Sequence, residues 1–177
     1  EIGVFAGKSL FALGAAMNEI KSDGKVYGIE PWNNVACAQG YDQEDPNRKW
    51  WEGLNMGQIE RAFYAVRTYL NLGEHVVVLK TKSSNAVEKF QELHRAGTPI
   101  DLLHIDGNHS EEASTADVDL FMPLVKPGGV VFFDDTNWES TNRAQEKMLD
   151  FCHEPRIEKG DEYCYGVYKK REESEEA

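Results

Sequence analysis

Short apolar runs along this chain alternate with longer stretches in which apolar residues recur every three or four positions. The apolar runs cover residues 1–5, 25–30, 75–80, 100–106 and 130–135, and the helical periodicities cover 8–21, 56–72, 85–97, 110–125 and about 138–153. The run HVVVLK at 75–80 is rich in β-branched residues, as expected for a strand that is buried on both faces. This alternation predicts an α/β fold, a doubly wound and mostly parallel sheet with helices on both faces.

The remaining segments follow other patterns. RIEKGDEYCYGVYKK predicts two strands around a Gly-Asp turn, and therefore a C-terminal antiparallel strand. Residues 31–55 have no periodicity but hold three tryptophans, which indicates an ordered, lid-like loop. We expect one domain over 1–169 and a disordered, charged tail over 170–177. The first strand is expected to be truncated, because the sequence begins inside it and without Met.

Composition narrows the function classes. With 177 residues, 41% hydrophobic residues and a net charge of −12, the chain is typical of one folded domain without a broad surface for nucleic acid or anionic membrane. Its three cysteines form no CxxC pair, which argues against a zinc knuckle or a disulfide framework and favours a cytoplasmic location. No run of about 18 apolar residues predicts a membrane span.

The opening EIGVFAGKS raises the question of a phosphate-binding P-loop. That loop needs four residues between its first glycine and its Gly-Lys pair, whereas three separate Gly3 from Gly7. A nucleotide-cofactor turn fits better, because the two glycines let the backbone bend and the next helix presents free amides and the Ser9 hydroxyl to an anion. Glu30 ends the second strand, where a carboxylate can bind both hydroxyls of a ribose. The alternative is a plain tight turn and a solvated strand end.

The ordered set EIGVFAG, GIE, IDGNHS, LVKPGG and the final DD resembles the class I S-adenosylmethionine-dependent methyltransferases over nearly the whole chain. IDGNHS with DD is most similar to metal-dependent small-molecule O-methyltransferases of the catechol and macrocin type. The resemblance implies a Rossmann-like methyltransferase sheet. It also implies cofactor contacts at these positions: Glu1, Gly3, Gly7, Ser9, Glu30, Trp32, Ser83 and Asp106. Capping of the following helix by Ser84 is an equal alternative to an adenine contact at Ser83 or Ser84.

Three carboxylates end two apolar runs. If the strands are neighbours, Asp106, Asp134 and Asp135 converge at one edge of the sheet, where close like charges favour a bound cation. The resemblance implies Mg²⁺ at these three positions. The alternative is that one aspartate caps a helix and the others face water.

A catalytic base is also needed, because metal chelation of adjacent oxygens lowers the pKa of a hydroxyl without removing its proton. His109 is the candidate base, and Asp106 is the second candidate catalytic residue. The alternative for His109 is a helix-capping role. We expect His104, inside an apolar strand, to be a core histidine. The expected reaction is methyl transfer to a hydroxyl of a small molecule.

Two other functions stay open. One is a catalytically inactive S-adenosylmethionine-binding or scaffold protein of the same fold. The other is a nicotinamide-dependent oxidoreductase, which the missing Gly-x-Gly-x-x-Gly pattern disfavours. Trp50, Trp51 and Trp138 are either acceptor-pocket or core residues. The sequence does not identify the acceptor, and it is compatible with a homo-oligomer.

Overall fold

The structure, a computed structural model, describes residues 1–161 and 163–172. The chain divides into two compact units, Glu1–Lys82 and the part that begins at Ser83. Each unit has its own strands and helices and is considered by itself. The sequence-based prediction of a single domain over 1–169 stays a prediction.

The first unit contains two parallel strands, β1 (Val26–Ile29) and β2 (Val76–Leu79). The opening apolar run adds one parallel bridge, between Ile2 and Ile29. Around that bridge, the Ile29 amide donates to the Glu1 carbonyl and the Gly3 amide donates to the Ile29 carbonyl. The chain therefore leaves this short edge at Gly3, where its φ of 85° is suited to glycine.

Three of the four helices described in the first unit begin at a residue whose side chain caps them. They are α1 (Lys8–Glu19), α2 (Asn34–Cys37), α3 (Pro46–Gly53) and α4 (Met56–Tyr69). The side chains of Asn33, Asp45 and Asn55 accept backbone amides at the starts of α2, α3 and α4. Segment 31–55 therefore holds two short helices that its lack of periodicity did not predict.

The core of the first unit is aromatic. Phe63 of α4 is fully buried, and its ring stacks on Phe11 of α1 at 4.9 Å between centroids. Glycines allow α1 to approach the sheet, because a Cβ at Gly14 would meet Val76 at 2.6 Å. The other members of this buried cluster are Val4, Leu10, Val26, Trp32, Met56 and Leu72.

The second unit contains a four-stranded sheet in the order β3-β4-β6-β5. Its strands are β3 (Ile100–Ile105), β4 (Val125–Phe133), β5 (Arg156–Lys159) and β6 (Cys164–Lys169). β3 and β4 pair in parallel, whereas β6 runs antiparallel to both β4 and β5. The predicted antiparallel C-terminal strand is thus present, and the ends of β3 and β4 lie side by side.

Three α-helices belong to the second unit as described: α5 (Ser83–Arg95), α6 (Glu111–Phe121) and α7 (Asn142–Phe151). Short 3₁₀ turns at Met122–Leu124 and Glu139–Thr141 precede β4 and α7. Ser110 caps α6, since its Oγ accepts the Ala113 amide at 3.4 Å.

β4 begins earlier than the sequence indicates. The apolar run predicts a strand over 130–135, but KPGG before it also lies inside β4, where the pairing with β3 shifts register between Ile100 and Leu102. Gly128 has a φ of 69° at this irregularity. The glycines are thus used for a bulge within the strand rather than for a turn before it.

The predicted disordered tail is described only as far as Glu172; residues 173–177 lie outside the described residues. Within the described part, the Lys170 amide donates to the Gly129 carbonyl and the Arg171 amide to the Phe151 carbonyl. The first residues of that segment are therefore paired with the fold, contrary to expectation. Across the described residues, none of the helices combines the length and the apolar character that crossing a bilayer requires.

Candidate active site

The glycine turn of the first unit leads into α1. Gly7 has a φ of 90° and precedes α1, and no side chain among the described residues caps this helix. Its first-turn amides are thus available to an anionic group, and Ser9 lies partly exposed in the same turn. Gly7 itself has a packing reason, because a Cβ there would meet the rings of Phe11 and Phe63 at 2.7 Å. The turn therefore suits a cofactor, and its second glycine is also required by the core.

Glu30 follows β1 and is 5% exposed. Its Oε2 accepts the Phe5 amide at 3.0 Å, and its Oε1 accepts the Trp32 amide at 2.8 Å. Burial raises the pKa of this carboxyl, and the backbone hydrogen bonds oppose that rise. The Val4 amide also hydrogen-bonds this carboxylate, so the group ties residues 4, 5 and 32 together and keeps at most part of its capacity of about four acceptor positions for a hydroxyl.

Trp32 is 6% exposed, and its ring packs 5.2 Å from Phe63. Its indole nitrogen donates to the Phe5 carbonyl at 2.9 Å. The residue thus belongs to the core of the first unit, and its predicted stacking on an adenine stays a prediction. Trp50 is the more accessible aromatic side chain, 52% exposed, with Phe5 5.9 Å away.

A groove of about 450 Å³ runs beside α2 and α3 in segment 31–55. Its size is within the range of small-molecule sites. Polar and apolar side chains line it: Asn34, Val35, Ala38, Gln39, Arg48 and Glu52. The groove gives the predicted lid segment a concave surface of its own.

In the second unit, Ser83 opens α5 and its side chain hydrogen-bonds the carboxylate of Asp117 on α6. Asp117 is 4% exposed, and burial raises its pKa from 3.8 to about 7. Ser83, the predicted adenine contact, is therefore hydrogen-bonded to a buried acid, Asp117, that no local sequence pattern indicated.

The carboxyl ends of β3 and β4 bring three ligating side chains together. One ligand atom each from His104, Asp106 and Asp134 lies within 4.8 Å of the others, and all three residues are half-buried. The Asp134 amide donates to the Ile105 carbonyl, which continues the ladder by one residue and aligns the two acids. The predicted convergence of Asp106 and Asp134 is present, and the expected core histidine, His104, joins them.

Asp135 contacts His109 instead. The His109 Nε2 is 3.4 Å from Asp135 Oδ2 and 3.8 Å from Asp106 Oδ1. Asp135 has a φ of 50°, so the chain turns sharply between the two adjacent acids. The Trp138 ring lies 5.1 Å from the His109 ring and covers one side of it. Asp106 thus belongs both to the possible metal site with His104 and Asp134 and to the acid–base cluster with His109 and Asp135.

Burial sets the protonation of this pair. It lowers the pKa of His109 to about 4, although the charge of Asp134 acts in the opposite direction. It raises the pKa of Asp135 to about 6, and the neighbouring Asp134 adds to the rise. At pH 7 the imidazole is therefore neutral and can accept a proton, and its contacts with the two acids are not ion pairs.

A family model described as a methyltransferase domain matches residues 1–136. This range includes the glycine turn, Glu30 and the acidic edge, that is, Asp106, Asp134 and Asp135. The chain belongs to this methyltransferase family. The prediction of a class I methyltransferase is confirmed, and the matched range ends just after Asp135.

Solved methyltransferases share the fold. The O-methyltransferase TomG from Streptomyces achromogenes, in complex with SAM, has a TM-score of 0.64 at 15% identity over 96% of this chain and 71% of that chain. The O-methyltransferase NovP has a TM-score of 0.60 at 20% identity over 97% and 70%. A putative rRNA-methylase from Clostridium thermocellum has a TM-score of 0.61 at 14% identity over 97% and 86%. The predicted Rossmann-like α/β fold is thus confirmed.

Two features of this methyltransferase site were missed in the sequence. His104 and Asp106 are two residues apart on one strand, so they share a face, and this period was a usable signal. The Ser83–Asp117 contact joins two helices and has no local signature. The roles of the other predicted residues, Glu1, Gly3 and Ser9 among them, stay predictions.

Proposed function

We propose that this methyltransferase transfers the methyl group of S-adenosylmethionine to a hydroxyl of a small molecule, aided by a divalent cation that chelates adjacent acceptor oxygens. The observation that carries the proposal is the position of the Asp106 carboxylate. It is grouped with Asp134 as a possible metal ligand, and it also lies 3.8 Å from Nε2 of the neutral His109 imidazole. The fold shared with named O-methyltransferases supports the same chemistry.

The residues of the first unit fit the cofactor. Uncapped amides at the start of α1 suit its carboxylate, and the remaining acceptor capacity of the Glu30 carboxylate suits a ribose hydroxyl. S-adenosylmethionine supplies an electrophilic methyl group when it is bound. We infer that Gly3 and Gly7 shape this contact.

The donor set at the acidic edge fits a divalent cation. Carboxylates are ligands that hard cations prefer, and two of them at half-buried positions repel each other without a charge between them. Such an ion, when bound, lowers the pKa of a coordinated hydroxyl and fixes its direction. We assign Asp106 and Asp134 to this task, with Asp135 as the third position that the resemblance implies.

His109 would act as the base. The imidazole is neutral at neutral pH, and its Nε2 lies 3.8 Å from an Asp106 oxygen and 3.4 Å from an Asp135 oxygen. Trp138 covers one side of the imidazole and limits the access of water. His109 would thus accept the proton from a neutral resting state, with the charge of Asp134 favouring and burial opposing the imidazolium that results.

A small acceptor fits better than RNA. A net charge of −12 opposes binding to a polyanion, although one structure of similar fold carries the name rRNA-methylase. The acceptor class that suits chelation is a vicinal diol, such as a catechol or a sugar. Its two adjacent oxygens can both bind one ion.

The experiment is a methyl-transfer assay with isotopically labelled S-adenosylmethionine and a panel of catechols and sugars. We expect labelled product with Mg²⁺ or Mn²⁺, loss of product in chelator, and recovery when metal is restored. His109→Gln should lower kcat without changing cofactor binding, and His94→Gln, an exposed change on α5, is the matched control. Undiminished transfer in chelator would refute the metal part, and cofactor binding without transfer to any acceptor would favour a binding or scaffold role.

A further inference from the structure

His104 lies at a register position that aims it at the same edge as the two acids. In the parallel pair of β3 and β4, His104 is opposite Phe132. Two residues further along each strand are Asp106 and Asp134, so side-chain alternation puts all three ligating residues on one face. Their ligand atoms lie within 4.8 Å of one another.

These distances suit one shared ion. Ligand atoms about 2.1 Å from an octahedral ion are about 3.0 Å apart when adjacent and about 4.2 Å apart when opposite. The ligand atoms of the three residues all lie within 4.8 Å of one another, a limit close to that range. The ring of His104 stands edge-on to Phe132 at 6.3 Å, so it already has a packing neighbour that limits its orientation.

We propose that His104 is the third protein ligand of the divalent cation, together with Asp106 and Asp134, and that this nitrogen donor shifts the site from Mg²⁺ toward Mn²⁺ and related transition metals. This inference rests on the metal use proposed above. Asp135, the third ligand that the resemblance implies, is instead turned toward His109.

Nitrogen is the reason for the shift in preference. Mg²⁺ prefers oxygen ligands and retains several waters, whereas imidazole suits first-row transition metals. A site with one imidazole and two carboxylates therefore gains affinity for Mn²⁺ relative to an all-oxygen site. Three protein ligands leave other positions of an octahedral ion for water or acceptor oxygens.

The test is pulsed electron paramagnetic resonance of Mn²⁺ bound to the full chain in a buffer that contains no nitrogen. We expect one Mn²⁺ per chain with a coupling to a histidine nitrogen, which changes when the protein is grown with ¹⁵N-histidine. This readout needs neither a variant nor activity. Mn²⁺ that binds without any nitrogen coupling would overturn the role of His104 but leave the proposed metal use intact.

Variants then assign the nitrogen. His104→Gln should abolish the coupling and weaken Mn²⁺ by about tenfold or more while Mg²⁺ affinity changes little. His109→Gln and the exposed control His94→Gln should both keep it. A coupling that survives in His104→Gln and disappears in His109→Gln would overturn the assignment. Failure of any divalent ion to bind would overturn the metal use itself, while cofactor binding by calorimetry tests the methyltransferase proposal separately.

Discussion

Asp117 ties the stability of the second unit to pH. The carboxyl is 4% exposed on α6, and its folded pKa is about 7, against 3.8 for the ordinary side chain, because burial disfavours its charge. Between those two values the folded chain binds more protons than the unfolded chain. Stability from this group is therefore complete below about pH 4 and is lost as pH rises to about 7.

The magnitude follows from the same two values. A difference of about three pH units, at about 1.4 kcal/mol per unit, corresponds to about 4 kcal/mol over the whole window. Between pH 5 and pH 8 the loss is about 3 kcal/mol, because only the interval from 5 to 7 contributes. This is a large fraction of the stability of an ordinary domain.

Asp117→Asn isolates the effect. The amide has the shape of the carboxyl, does not titrate, and can still accept a hydrogen bond from Ser83 through its oxygen. From pH 5 to pH 8, we expect the free energy of unfolding of the wild type to fall by about 3 kcal/mol more than that of the variant. Both free energies are measured by urea titration followed by circular dichroism. Asp119→Asn is the control, an exposed acid two residues along α6 that pairs with Lys147. Equal pH dependence in the wild type and Asp117→Asn would refute the reasoning.

Three further changes test the turn, the ribose carboxylate and the acidic edge. Gly7→Ala should lower the free energy of unfolding by about 2–4 kcal/mol, because its φ is 90° and its Cβ would meet Phe63. Gly57→Ala, whose Cβ would make only ordinary van der Waals contacts, should change stability by less than about 1 kcal/mol. Equal urea midpoints for the two would contradict this. Glu30→Gln should cost about 1–3 kcal/mol, since an amide NH₂ would face a backbone N–H, and an unchanged melting temperature would argue against the observed hydrogen bonds. Asp134→Asn should abolish divalent-cation binding in calorimetry and leave the affinity for S-adenosylhomocysteine intact; weaker binding of both would place the residue in the cofactor site.

The alternation of apolar runs with helical periodicities was sufficient to predict the strands and the longer helices. Those elements depend on local patterns of burial that a single sequence displays. Segment 31–55 shows the limit, because its helices have four and eight residues and are too short for a periodicity to emerge. The caps Asn33 and Asp45, with Pro46 after the second, were the available local signal.

Site residues divide in the same way. Asp106 and Asp134 were predictable because parallel neighbours end at one edge, and both follow apolar runs. His104 was assigned to the core on the apolar character of its neighbours, although its spacing from Asp106 indicates a shared face. The partner of Asp135 depends on a backbone turn with positive φ, and that of Ser83 on the packing of two helices, so neither follows from local sequence.

The proposed reaction depends first on the binding of S-adenosylmethionine by this methyltransferase. Isothermal titration of the full chain with S-adenosylhomocysteine, the demethylated product, tests it most directly. We predict saturable binding of one ligand per chain, tighter than about 1 mM, which corresponds to about −4 kcal/mol. A chain that is folded by circular dichroism and gives no binding heat at millimolar ligand would contradict the claim.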